Sequence, residues 1–255
     1  MSRPYALVTN CLGFAGPAAV QALLEAGFTV LAHDKEFENS QAWNSFQAGR
    51  DHLVPLSGSD PARILTQALG HTDHLGVIVS NDHVPAPALA PETAPLSALA
   101  DNLEGLVTAP FALIQAAIPH LKSIGGGNVV MITSNRMNLP LKGGAFPDAA
   151  RAGANALVKS LAIDLAEHQI TVNAIAPNFL YSEAYYPAAF FKETQARRAY
   201  VKASVPGGRL ADPEEIGEVI TFLATAKTRF LTGSIIEFSG GWPYGPSRPN
   251  PDIPN

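Results

Sequence analysis

Short, continuously apolar runs alternate with longer stretches of helical period along most of this chain. Residues 5–9 (YALVT), 29–32 (TVLA), 76–80 (GVIVS), 128–133 (NVVMIT), 170–175 (ITVNAI) and 234–238 (SIIEF) read as strands. Most are apolar throughout rather than alternating, as expected of strands covered on both faces of a parallel sheet. Between them, 15–26, 61–69, 96–121, 147–168 and 213–224 read as helices. Pro61, Pro147 and Pro213 fall where a helix tolerates proline in its first turn, and Asp60 and Asp212 are placed to cap two of these starts. No repeat of fixed period is visible. The pattern predicts one doubly wound parallel sheet of the Rossmann type, an α/β fold with helices on both faces, spanning 1–255 as a single domain.

Two segments depart from the alternation. Pro85, Pro87, Pro91 and Pro95 make the stretch after residue 80 an extended loop. It reads either as solvated chain or as the border of a pocket at the strand C-termini. Pro243, Pro246, Pro249, Pro251 and Pro254 predict a stiff, extended tail over 243–255, solvated or reaching a neighbouring subunit.

Composition narrows the function classes. The 255 residues are 47% hydrophobic and carry a net charge of −5, so there is ample core and no electrostatic footprint for nucleic acid. No apolar run approaches the roughly 18 residues a membrane span needs. The polar start leads straight into a strand, so no signal peptide is expected. A lone Cys11 excludes an intrachain disulfide and a Cys-based zinc site, and suits a cytoplasmic protein. His33, His52, His71, His74, His83, His120 and His168 are scattered without ligand spacing, so no metal is expected.

The turn after the first strand bears on cofactor binding. A dinucleotide needs glycines there so that backbone amides can approach its pyrophosphate. In TNCLGFAG, Gly13 and Gly16 remain, but Phe14 stands between them and its ring would collide with that group. Asp34, after the second strand, then reads as a surface cap. Nicotinamide binding is disfavoured, and no cofactor is expected.

Ser80-Asn81-Asp82, Ser134 after MIT, VNAIAPN over 172–178 and LTGSIIEFSGGW over 231–242 together resemble the short-chain dehydrogenase/reductase superfamily. Within it the chain resembles the halohydrin dehalogenases. Thr9, Phe14 and Gly16 fit their Thr-x4-Phe/Tyr-x-Gly turn, and Ser134 and Arg151 fit Ser-x12-Tyr-x3-Arg. The Tyr position of that motif is Pro147. The resemblance implies a cofactor-independent lyase on vicinal halo-alcohols and epoxides. It further implies catalytic Ser134 and Arg151, Asp82 as a proton relay, and a halide pocket of Phe14, Pro177, Asn178, Phe179, Leu180, Tyr185 and Tyr186. It also implies a homo-oligomer, dimer or tetramer, joined through the helix that holds Arg151.

Pro147 has no titratable proton, so the acid/base duty is open. Asp148 reads either as a base beside Arg151 or as a first-turn acid complementing the helix dipole. Tyr181, Tyr185 and Tyr186 read either as an apolar wall or as the source of one hydroxyl turned inward. Asp82 is otherwise an exposed loop carboxylate, Ser134 a capped strand end, and Arg151 half of an interhelical ion pair. Three functions follow: a dehalogenase-like lyase with reduced or rerouted activity; a non-catalytic binder of a small molecule or anion, or a silent subunit; and an NAD(P)-dependent oxidoreductase, against which Phe14, Pro147 and Arg151 all count.

Overall fold

The computed structural model describes residues 3–85 and 88–244. Seven strands form one parallel sheet: β1 (Tyr5–Val8), β2 (Thr29–His33), β3 (Leu53–Leu56), β4 (Leu75–Ser80), β5 (Gly127–Ile132), β6 (Ile170–Pro177) and β7 (Ile235–Phe238). Their order is β3-β2-β1-β4-β5-β6-β7, as the sequence pattern predicts for a doubly wound fold. The side chains divide between the two faces with period two. Ala6, Val8, Val30, Val77, Val79, Val130 and Ile132 point to one layer. Leu7, Leu31, Leu75, Ile78, Val129 and Met131 point to the other.

The first layer is closed by α1 (Gly16–Glu25) and α9 (Pro213–Thr225), which pack Leu23, Ile216 and Ile220 onto the sheet. The second is closed by α3 (Pro61–Leu69), α5 (Ala109–Ser123) and α6 (Ala145–Leu165), through Leu65, Ile114, Val158 and Leu161. The remaining helices are α2 (Ser40–Gln47), α4 (Leu96–Leu103), α7 (Ala188–Phe191) and α8 (Gln195–Ser204). Asp60 caps α3 by accepting the Arg63 amide at 2.7 Å, and the Glu215 carboxylate accepts the Asp212 amide at 2.8 Å at the start of α9.

Several expectations need correction. β3 was absent from the sequence reading because Pro55 interrupts it. As an edge strand it pairs only with β2, so the missing N–H costs no ladder bond. The helix predicted over 96–121 is not continuous: a π-helical turn, Glu104–Thr108, separates α4 from α5. Pro110 cannot supply the amide that a regular ladder needs there, and the wider turn absorbs the defect. Helix α6 begins at Ala145 rather than 147, which places Pro147 inside its first turn. Of the two proline segments, residues 86–87 and 245–255 lie outside the described residues. The described part of the first, with Leu89, Pro91 and Pro95, borders an apolar cavity of about 230 Å³ together with Phe146 and Pro147.

The C-terminal ends of β1, β4, β5 and β6 meet at the point where the strand order reverses. The segments that follow them carry Phe14, Asp82, Ser134 and Pro177–Leu180 respectively.

Candidate active site

Register places the first two groups. Ile132 pairs with Ile175 across β5 and β6, so Ser134 emerges beside Pro177, and the Ser134 hydroxyl donates to the Pro177 carbonyl at 3.3 Å. The same oxygen accepts the Arg136 amide at 3.2 Å. The bond to Pro177 is long, and a ligand oxygen can take its place. Asn155, on α6, fixes the strand end by donating to the Ser134 carbonyl at 3.0 Å.

Arg151 lies one turn into α6 and is only 4% exposed. Its guanidinium donates to the Ile132 carbonyl at 3.3 Å and to the Tyr185 hydroxyl at 3.2 Å, and it faces the Phe14 ring with its centre 6.0 Å from the centroid. Among the described residues no carboxylate lies within salt-bridge distance of it. Asp82 lies near enough to feel its charge but forms no direct ion pair with it, and a buried cation in that position favours an anion or a developing negative charge at its side.

Ser134 and Arg151 line one cavity of about 100 Å³ with Phe14, Pro177, Asn178, Leu180, Tyr185 and Tyr186. Eight residues singled out in the sequence are thus brought together. Asn178 is oriented unambiguously: its Oδ1 accepts the Phe179 amide at 3.0 Å and the Tyr186 hydroxyl at 2.8 Å. Its Nδ2 is left as a donor on the cavity wall. Burial pushes the Tyr186 phenol up to about 12, so it stays protonated. Phe14 meets the Tyr185 ring edge-on at 5.0 Å.

Three expected residues lie elsewhere. Phe179 turns away into a neighbouring cluster with Val201, Val205, Leu210 and Trp242. Its positive φ of 54° sends the ring out of the run formed by its neighbours Asn178 and Leu180. Pro147 lines the apolar cavity beside Leu89 and Pro91. Asp148 is not beside Arg151 as a base: the Arg136 Nε donates to its carboxylate, forming an ion pair. Arg136 itself, with Leu141 and Thr133, lines the cavity without having been anticipated. Its reach depends on the path of the 136–144 loop, for which the sequence carries no periodic signal.

Asp82 follows β4. Its carboxylate accepts the Ser80 hydroxyl at 2.5 Å and the Asn10 amide at 3.2 Å. Burial pushes it up to about 6, while the Ser80 bond and the charge of Arg151 pull the other way. It is a partly buried acid rather than an exposed loop carboxylate.

Several amides of the first turn are already bonded within the protein. The Leu12 N–H goes to the Asp34 carboxylate at 3.0 Å and the Ala15 N–H to Asn81 Oδ1 at 3.2 Å, while the Gly16 N–H goes to the Gly13 carbonyl at 2.9 Å. Asp34 is a cap as expected, accepting the Glu36 amide at 3.1 Å, but it is buried rather than on the surface and also clamps this turn. The His83 ring lies directly over Gly13, so that even a Cβ there would come within 2.3 Å of its Nε2. These residues do not fit a pyrophosphate. Among the described residues, no group of three or more His, Cys, Asp and Glu is placed to hold a metal ion. No described helix is long and apolar enough to cross a membrane.

Comparison with known proteins agrees with this fold. A family described as enoyl-(acyl carrier protein) reductase matches residues 13–243, and the chain belongs to the short-chain dehydrogenase/reductase superfamily. It is 28% identical to the 3-oxoacyl-(acyl-carrier-protein) reductase of Vibrio cholerae, over 92% of this chain and 96% of that one. In structure it is similar to a halohydrin dehalogenase bound to ethyl (2S)-oxiran-2-ylacetate, with a TM-score of 0.92 and 33% identity over 96% of this chain and 100% of the other. It is also similar to a protein described as a dehalogenation enzyme, with a TM-score of 0.90 and 32% identity over 94% and 98% of the two chains.

Proposed function

We propose that this protein is a halohydrin dehalogenase-like lyase that interconverts vicinal halo-alcohols and epoxides without a nicotinamide cofactor, and that Pro147 occupies the place of the family's catalytic tyrosine. The observation that carries this reading is Arg151, a buried guanidinium with no carboxylate partner among the described residues. It faces a small cavity that also holds the Ser134 hydroxyl, the Asn178 amide and apolar walls. In ring closure the substrate oxygen becomes negative as its proton leaves, and Arg151 stabilises that charge. Ser134 holds the oxygen by exchanging its bond to Pro177 for one to the substrate. The Asn178 amide and the edges of Phe14, Pro177 and Leu180 suit a weakly hydrated halide, which gains from one donor and an apolar surround. The internally bonded first turn supports a reaction that needs no dinucleotide.

The test is halide release from a chlorinated vicinal alcohol, with azide-driven epoxide opening as the reverse assay. Wild type is expected to show both activities, and Ser134→Ala and Arg151→Met to lose them. NADPH added to the protein is expected to give no change in its fluorescence. Pro147 favours one second reading, an anion-binding homologue without turnover. Its signature is thermal stabilisation by bromide or azide in the absence of either reaction.

A further inference from the structure

Three tyrosines follow β6, and their hydroxyls differ in what they have left to give. The Tyr181 hydroxyl donates to Glu183 at 2.5 Å and that of Tyr186 donates to Asn178 Oδ1 at 2.8 Å, so both protons are committed. The Tyr185 oxygen instead accepts an N–H of Arg151 at 3.2 Å, and no described residue accepts its own proton. Tyr185 also lines the cavity that holds Ser134. Ser134, Arg151 and Tyr185 thus face one small cavity of about 100 Å³. The ring is fixed: its edge meets Phe14, and its backbone N–H is held by Ser182 through the carbonyl and the hydroxyl, each at 3.3 Å.

From this arrangement we infer that Tyr185 is the acid/base of the reaction, performing from the loop after β6 the duty that Pro147 cannot perform from α6. The inference rests on the lyase reading above. In epoxide opening, an incoming azide forms the new bond to carbon while the C–O bond breaks and its electron pair stays on oxygen. That oxygen takes the Tyr185 proton, and the guanidinium N–H of Arg151 holds the resulting phenolate. The phenolate then takes a proton from water and leaves hydroxide. The balance is epoxide, azide and water in, azido-alcohol and hydroxide out. In ring closure the phenolate removes the alcohol proton, the alkoxide forms the C–O bond, halide departs with the electrons of the carbon–halogen bond, and the Tyr185 proton then passes to water, so halo-alcohol gives epoxide, halide and a proton.

The experiment measures azide-driven opening of 1,2-epoxybutane by wild type, Tyr185→Phe, Tyr181→Phe and Ser134→Ala, beside stabilisation of each by azide in thermal melts. Phenylalanine keeps the ring contact with Phe14 and removes only the hydroxyl. Tyr185→Phe is expected to lower kcat by about 10²–10⁴-fold, the usual worth of a positioned acid/base, with KM nearly unchanged. It is also expected to retain azide stabilisation, and Tyr181→Phe to match wild type. If Tyr185→Phe turns over within about threefold of wild type while Ser134→Ala does not, the lyase reading stands and the role of Tyr185 is overturned. Loss of azide stabilisation together with turnover in Tyr185→Phe shows a structural role and overturns it equally. A wild type that performs neither reaction removes the lyase reading and this inference with it.

Discussion

Asp82 shows how much of a residue's chemistry depends on its surroundings. The sequence offers a carboxylate one residue beyond the end of a strand, which by composition is an exposed group. In the fold it is partly buried with Ser80 and Asn10, and burial pushes its pKa up to about 6 from the ordinary 3.8. Between these values the folded protein binds more protons than the unfolded chain, so stability falls as pH rises through that window. The contribution is present below about pH 4 and is lost by about pH 6. Asp82→Asn removes the titration. The melting temperature of the variant, measured relative to wild type, is therefore expected to rise as pH goes from 4 to 6.5. A difference that stays flat across this range contradicts the buried-acid description. Other site residues were legible at the same scale through the resemblance: Phe14, Ser134, Arg151, Pro177, Asn178 and Leu180 match its motifs, and all follow strands or lie on a helix. The direction of the Tyr185 hydroxyl and the Arg136–Asp148 pair were not legible, since both depend on irregular loops.

Among the elements, the turn between β1 and α1 changes the meaning of its glycines. Gly13 and Gly16 look like remnants of a phosphate-binding turn. In the structure each is required by a close approach within the protein. The His83 ring occupies the space over Gly13, and a Cβ on Gly16 would lie 2.6 Å from the Asn10 carbonyl oxygen and 2.8 Å from two backbone atoms of Cys11. Backbone cannot yield as a flexible side chain can. Gly16→Ala is therefore expected to destabilise the fold by about 1–3 kcal/mol, the usual cost of overpacking, read as a lowered urea midpoint with an unchanged slope. An unchanged midpoint contradicts the close-approach account. The strands were legible because burial on both faces writes continuous apolar runs. The exception was β3, where Pro55 hides an edge strand. Helix 96–121 read as continuous because its apolar pattern is, although Pro110 forces a wider turn within it.

The whole molecule retains a feature that its own core does not explain. Ile163 on α6 and Leu96 at the start of α4 are each 79% exposed, and the two helices pack side by side. The resemblance implies an oligomer joined through the helix that holds Arg151, and Ile163 is an exposed apolar side chain on that helix. Sedimentation velocity is expected to give a dimer or larger species for wild type and a shift toward monomer for Ile163→Asp. A monomeric wild type contradicts the proposal. At this scale the doubly wound parallel sheet was legible from alternation, though its third strand was not, whereas the chemistry was narrowed by a few substitutions in a widely shared fold. On the function proposed above, Arg151, buried without a direct ion pair, and Ser134 on the same cavity wall make this superfamily member a cofactor-free lyase on carbon–halogen bonds. The most direct measurement is chloride release from a vicinal chloro-alcohol with no nicotinamide present, by wild type beside Ser134→Ala. The account predicts steady release by wild type and loss in the variant. No release by a folded wild type, or equal release by both proteins, would contradict it.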